Sequence, residues 1–382
     1  MKPINEEKFK KIIDFLTEHA IDFLLISDYE NANDVNMQYL TGHPMDATVI
    51  VTQKGETYLV PWDVALAQKY AEVDEIFDLM NYEHSQIKFL HTFIEEKIQK
   101  HKVTVGLNSS TSFGSLVMFK KAIPHMEIFQ EPMLISNLLG DLRTTKSAAE
   151  LELLREAANI GNQTIPEIEN FAMNATDETE NDLDFFVRKK MASLGAEDVA
   201  FPTLVGSSTR AHNIHCHPSA SNAKFATPGL ALIDFGAKYK GYHSDITVPI
   251  SFGELTAEQT KIRDLTQKAY DAAMEILDIG VPLWKVHEAA IKVIQEGGYN
   301  MPHSLGHGLG LATHDAPHLG SKPTNPIALQ YWKETKAQNG MVFTIEPGVY
   351  KEGLGGQRLE NDVIIWNDRV EVITKSRFIT VL

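Results

Sequence analysis

Residues 234–245 read DFGAKYKGYHSD, a short stretch with a carboxylate at each end. Upstream, Leu230-Ala231-Leu232-Ile233 is apolar and β-prone; Gly236 and Gly241 bracket Tyr239-Lys240 like turn residues, and Tyr242 to Ile250 is strand-like again. The spacing predicts a β-hairpin centred between Tyr239 and Lys240, which sets Asp234 directly opposite Asp245. Opposed residues share a face, with Cβ atoms roughly 4.5–5.5 Å apart. Like charges held there destabilise the sheet unless a cation sits between them.

The elements around this hairpin form a repeated pattern. Lys146 to about Ala172 reads as one amphipathic helix and TDETENDLDFFVRKKMASLGA as a second, opened by acids suited to a helix N-terminus. Strand-like FPTLVGS, NIHCHPS, LALIDFG and YHSDITVPI follow. The order then recurs: helices in TAEQTKIRDLTQKAYDAAMEILDIG and PLWKVHEAAIKVIQEGG, then strand-like segments around GHGLGL, GMVFTIEPGVY and ENDVIIW. Two helices then strands, twice over, predicts a duplicated α+β domain over residues 141–382.

Residues 1–140 alternate differently. Helical EEKFKKIIDFLTEHA leads to IDFLLIS, then DATVIVT, GETYLV, helix-like WDVALAQKYA, EIFDL, a helix through QIKFLHTFIEEKIQK, and TVGLN. That alternation predicts an α/β domain with helices on a sheet. It contains no phosphate loop, nucleophile elbow or metal-ligand cluster, so its expected role is support or oligomerisation.

A chain of 382 residues suits two domains, and 43% hydrophobic with 23% charged residues is a globular composition. The net charge of −16 argues against nucleic acid or an anionic membrane as the main partner. One cysteine, Cys216, excludes an intramolecular disulfide framework and fits a reducing compartment. The start, MKPINEEKFKKIIDF, carries acids and has no leader-like apolar core, and no apolar run reaches membrane-span length, so the expected location is cytoplasmic.

Further acids and histidines follow the hairpin. PHSLGHGLGLATHDAP contains His303, His307 and His314, and Gly306, Gly308 and Gly310 put three glycines in five residues around His307, which suits an extended segment closely approached by a ligand or another strand. FTIEPGVYKEGLGGQRLEND places Glu346 and Glu360 symmetrically about Gly353, so a second hairpin opposes two more acids. Four carboxylates and one imidazole form a hard, oxygen-rich set. It suits paired Mn²⁺, Co²⁺, Fe²⁺ or Zn²⁺ better than a structural zinc site, which would prefer thiolates. Each piece alone has an ordinary explanation, since paired acids on hairpins are commonly solvated and glycine-rich loops are commonly turns. Their coincidence in one half of the chain is what points to metal.

In order and spacing, IDFGAKYKGYHSDIT, HSLGHGLGLATHD, FTIEPGVY and RLEND resemble the signatures of the pita-bread metallopeptidases, which include Xaa-Pro dipeptidases (prolidases) and Xaa-Pro aminopeptidases. The first 140 residues resemble the creatinase/prolidase N-terminal domain, with QYLTG as a local match. The resemblance implies a pita-bread fold for residues 141–382, two divalent metal ions and a homodimer. It puts Asp234, Asp245, His307, Glu346 and Glu360 on the metal-ligand positions, with Asp245 and Glu360 bridging, Asp234 completing one ion, and His307 with Glu346 completing the other. It also implies that Glu346 shuttles a proton from water to the leaving nitrogen. His314 falls on the histidine that stabilises the tetrahedral intermediate, and His303 on a pocket histidine of the proline-specific members. Arg358, two residues before Glu360 and so on the same side of a strand, would hold a substrate carboxylate or brace the acids.

The family places one more catalytic histidine before the first aspartate, in a His-x-x-Pro pattern. GSSTRAHNIHCHPS offers His212, His215 and His217; His215 satisfies the pattern with Pro218 and sits at the right distance from GSS, so it is the expected catalytic histidine, with His217, nearer the usual separation from Asp234, as the alternative. The implied activity is cleavage of Xaa-Pro bonds, tertiary amides that lack an N–H. The compact length leans toward a dipeptidase, with an aminopeptidase as the alternative. Creatinase-like amidine hydrolysis in this fold proceeds without metal, and non-catalytic binding relatives typically lose ligands. Five retained ligand types count against both.

Overall fold

The computed structural model describes residues 2–30 and 32–382. The chain divides into two compact units, Met1–Leu142 and Arg143–Leu382.

The first unit is built on a six-stranded sheet in the order Glu75–Ile76, Thr57–Pro61, Ala47–Thr52, Phe23–Ser27, Val103–Leu107, Met126–Ile128. The three middle strands pair antiparallel and the outer ones join parallel. Phe23, Tyr58, Phe89 and Phe93 form its aromatic centre, with Tyr58 and Phe93 edge to face at 5.0 Å. Helix Glu6–Glu18 starts where the Asn5 side chain accepts from the Lys8 amide. One local detail differs from expectation: the segment through QIKFLHTFIEEKIQK is an α-helix only over Gln86–Phe93 and continues as a π turn, Ile94–Ile98. QYLTG belongs to a helix, Val35–Thr41, ended by Gly42 at φ 76°.

The second unit repeats one theme, as the pita-bread reading requires. Helices Ala148–Asn174 and Glu180–Ser193 pack Ile160, Ile165, Leu183 and Val187 against Val205, Ile233 and Val248 of a four-stranded sheet. That sheet runs Ile379–Val381, Ile246–Phe252, Gly229–Phe235, Leu204–Gly206. Helices Ala257–Ile276 and Leu283–Glu296 pack Ile262, Ala269, Val286 and Ile294 against Phe343, Ile345, Val363 and Ile365 of a five-stranded sheet. Three of these four helices begin with capping boxes: Ser147/Glu150, Thr179/Asp182 and Thr256/Gln259.

The first hairpin departs from the expected register. Lys240 and Gly241, both at positive φ (49° and 86°), form the turn one residue later than expected. Asp234 therefore faces Thr247, and Asp245 lies two residues before that partner, a shift that preserves the face. The second hairpin keeps its expected register, with Gly348 opposite Arg358 and Ile345 opposite Asn361. NIHCHPS is not a strand: it is a loop leading into a 3₁₀ turn at Pro218–Ala220, with the Cys216 thiol donating to the carbonyls of Arg210 and Asn213.

Candidate metal centre

The acids stand where strands leave one sheet for another. Asp234 is near the end of Gly229–Phe235, Asp245 just before Ile246–Phe252, Glu346 between Val342–Ile345 and Gly348–Lys351, and Glu360 between Gly355–Arg358 and Asn361–Trp366. His307 is the middle residue of Gly306–Gly308, a strand that only glycine backbone could place there. A Cβ on Gly306 would lie 2.0 Å from the Thr344 carbonyl oxygen, and one on Gly308 2.1 Å from Ala316.

These five side chains line one cavity of about 370 Å³ together with His215, His217, His303, His314 and Arg358. His212 is not among the lining residues. His215 and His217 both are, with ring centroids 6.4 Å apart, so the two candidates stay side by side. Phe201, Pro202, Leu204 and Ile214 form an apolar part of the wall.

Ligand atoms of Asp245, His307 and Glu360 all lie within 4.8 Å of one another. His307 Nδ1 is 3.1 Å from the Gly308 carbonyl oxygen, which can only accept, so Nδ1 carries the proton and Nε2 a lone pair. That lone pair faces Asp245 Oδ2 at 3.6 Å and Glu346 Oε1 at 3.5 Å. Burial, then the neighbouring His314, push the imidazole down to about 4, so no imidazolium relieves the repulsion. Burial pushes Glu346 up to about 8. It also raises Asp245 well above the carboxylate range, helped by Glu360 and Asp234, and raises Glu360 likewise, helped by Glu346 and Asp234. Asp234 Oδ1 is buried with no hydrogen-bond partner among the described residues. A lone pair, an orphaned carboxylate oxygen and mutually repelling acids, all converging on one space, fit divalent cations bound there.

The fixed positive charge is Arg358. Its Nη2 donates to Asp234 Oδ2 at 2.6 Å, Nε to Thr247 Oγ1 at 2.8 Å, and Nη1 to the Ile214 carbonyl and the Tyr350 hydroxyl. Burial alone would weaken the guanidinium as a cation, yet Tyr350, Asp234 and Glu360 together hold its pKa well above the usual arginine value. Thr247 passes the link on, donating to Glu360 Oε2 at 2.5 Å. Of the two roles expected for Arg358, bracing the acids is therefore the one its contacts express. His303 is fully engaged too. Nδ1 donates to the Ser304 carbonyl at 2.8 Å, and Nε2 accepts from Tyr350 at 2.9 Å. Burial and then Arg358 push His303 down to about 4, which keeps it neutral.

Sequence reasoning missed Tyr350, Thr247 and Thr344, the last donating to Glu346 Oε1 at 3.3 Å and accepting the His307 amide at 3.1 Å. Tyr350 lay inside the quoted FTIEPGVY, eight residues before Arg358 and so across the hairpin from Gly356, but nothing in that spacing announced a shared hydroxyl.

Comparison with known proteins agrees with this geometry. Residues 152–367 match the model of metallopeptidase family M24, and residues 8–143 the creatinase/prolidase N-terminal domain. The chain belongs to metallopeptidase family M24. As an M24 metallopeptidase it is a peptidase that uses divalent metal ions. It is 29% identical over 389 residues to an Xaa-Pro dipeptidase of Pyrococcus furiosus, covering 97% of this chain and 98% of that one. The prolidase structure from Pyrococcus horikoshii superposes with a TM-score of 0.82 at 26% identity, covering 98% of this chain and 99% of the other. An X-Pro aminopeptidase structure from Thermotoga maritima superposes at 0.80 with 25% identity and the same coverage. No helix among the described residues of this M24 chain is long and apolar enough to cross a membrane.

Proposed function

We propose that the protein is a dinuclear metallopeptidase that hydrolyses Xaa-Pro bonds, foremost as an Xaa-Pro dipeptidase. The observation that carries the metal-dependent reading is the deprotonated His307 Nε2 aimed between Asp245 and Glu346 in a cavity with Asp234 and Glu360. Proline specificity rests on the similarity to the P. furiosus dipeptidase and the P. horikoshii prolidase. Asp234, Asp245, His307, Glu346 and Glu360 would hold two ions, which when bound polarise the scissile carbonyl and activate water.

The chain's own groups then divide the remaining work. Glu346, placed beside the ions, would take the proton from the attacking water as a carboxylate and deliver it to the proline nitrogen, which must be protonated to leave. His314 donates to the carbonyl oxygen as charge develops there. Phe201, Pro202, Leu204 and Ile214 exclude water and accept apolar parts of the substrate. Arg358, Thr247, Tyr350 and His303 fix the acids and the wall, with Arg358 and His303 themselves lining the cavity. Catalysis is assigned to residues 141–382, with residues 1–140 supporting. The proposal extends to Mn²⁺, Co²⁺, Zn²⁺ or Fe²⁺ as the ions, to a homodimer, which the resemblance to the pita-bread metallopeptidases implies, and to a cytoplasmic location, which the single cysteine favours.

One observation favours Xaa-Pro aminopeptidase as a second reading. Among the described residues lining the cavity, the sole arginine or lysine is Arg358, whose contacts are with the protein itself. No fixed cation is thereby left to clamp a dipeptide's carboxylate. The deciding experiment is hydrolysis of Met-Pro, Gly-Pro, Xaa-Pro-Xaa tripeptides and Ala-Ala by chelated protein, with Mn²⁺, Co²⁺ or Zn²⁺ restored. Metal-dependent cleavage confined to Xaa-Pro dipeptides is expected; cleavage of the tripeptides makes the enzyme an aminopeptidase, and inactivity on every peptide with metal bound overturns both readings.

A further inference from the structure

His314 presents a problem of placement. Its ring lines the cavity, lies 4.2 Å from the His307 ring centroid, and makes no hydrogen bond among the described residues. A side chain so uncommitted can be aimed only by the backbone that carries it.

That backbone is held on both sides. Before it, Thr313 Oγ1 donates to the Ala200 carbonyl at 3.0 Å and lies 2.9 Å from His243 Nδ1. Since the Thr313 proton is used on Ala200, His243 is the donor in that second bond. After it, Asp315 receives Arg143, with Nη2 at 3.0 Å from Oδ1 and Nε at 3.3 Å from Oδ2. The Asp315 side chain is 1% exposed and that of Arg143 13%, so this two-point contact is shielded from water. The glycine-rich approach to His314 makes room for the arrangement. A Cβ on Gly310 would stand 3.1 Å from Asp315 Oδ2 and 3.0 Å from Lys146 Cε. Bare backbone there lets the chain lie directly over the buried charges.

We propose that Arg143 is a positioning residue for peptide hydrolysis, holding His314 in the cavity through its ion pair with Asp315. The inference rests on the reading of His314 as a substrate-contacting group, and adds that its aim is set from outside the cavity. A fork contact fixes both distance and plane of the Asp315 carboxylate, which a single ammonium would not do. A small displacement of His314 is enough to weaken its contact with the reacting carbonyl.

The test is a double-mutant cycle on the full-length, Mn²⁺-loaded enzyme, with kcat and KM for an Xaa-Pro dipeptide, metal content and melting temperature measured for each variant. Arg143→Ala is expected to lower kcat on the order of tenfold, with metal content unchanged. In a His314→Ala background the same change is expected to cost almost nothing, because the residue it aims is gone. Arg143→Lys serves if Arg143→Ala does not fold, and is expected to lose several-fold with the same dependence on His314. An equal loss with and without His314 would mean that the ion pair supports the fold only, which overturns the proposal. A costly His314→Ala beside an unaffected Arg143→Ala overturns the positioning alone; a silent His314→Ala overturns it together with the role given to His314.

Discussion

Tyr350 shows at the residue scale how much one hydroxyl can organise. It accepts from Arg358 and donates to His303, so Tyr350→Phe leaves an arginine N–H and an imidazole lone pair buried without partners. The expected cost is about 1–3 kcal/mol, read as a lower urea midpoint of the metal-free protein, because unpaired buried polar groups lose hydration without compensation. Glu346→Gln should instead keep the shape and the Thr344 contact while removing the proton shuttle and one metal-ligating carboxylate. A fall in kcat of about 10²–10⁴ is expected, measured beside metal content and on protein with restored metal; an unimpaired kcat would remove Glu346 from the mechanism. The sequence displayed this residue's type and spacing openly. It could not display Tyr350, Thr247 or Thr344, whose importance arises only when distant strands bring their hydroxyls between charged groups.

At the scale of elements, the two acidic hairpins were legible to different degrees. The second follows from simple symmetry about Gly353, since its glycines permit the turn and nothing shifts the ladder. In the first, a non-glycine residue, Lys240, adopts positive φ, which composition disfavours and the neighbouring strands impose. The register moved accordingly, but parity kept both aspartates on the cavity side. NIHCHPS misled for a related reason: its apolar and polar residues alternate as in a strand, yet its ordering comes from Cys216 and Arg210 contacts within a loop. The glycine strand carrying His307 supplies the element-scale prediction. Gly306→Ala should drive its methyl against the Thr344 carbonyl, costing about 1–3 kcal/mol or more, and should displace His307 enough to lower metal occupancy. Denaturant unfolding and metal analysis of the purified variant would show both effects, and full occupancy at wild-type stability would contradict them.

For the molecule as a whole, the buried carboxyl cluster makes stability depend on pH in an unusual direction. Metal-free Glu346 titrates at about 8 when folded, against roughly 4.3 for an unperturbed glutamate. The folded state therefore binds that proton more tightly, and its stabilising effect is complete below roughly pH 4.3 and is lost as pH rises through about 8. The melting temperature of chelated protein should thus fall between pH 6 and pH 9, and added Mn²⁺ should raise it more at the alkaline end. A flat profile in chelator would mean that the cluster carries no such strain. The two-unit architecture and the repeated helix-helix-strand theme were readable from periodicity alone, because each helix pair buries a continuous apolar stripe. How the histidine loops meet the acids was not, since that depends on packing between segments far apart in sequence.

The placement of the acids at points where strands change sheets has one more consequence. Asp234 and Asp245 belong to the half built on the four-stranded sheet, His307 to the half built on the five-stranded sheet, and Glu346 and Glu360 to the junctions around the latter. Ions held by all five would be cross-links between two separately cored halves, acting on chain entropy much as a disulfide does across a long loop. Amide hydrogen exchange in Ile246–Phe252 and Asn361–Trp366 should then slow together on metal loading, turning two cooperative units into one.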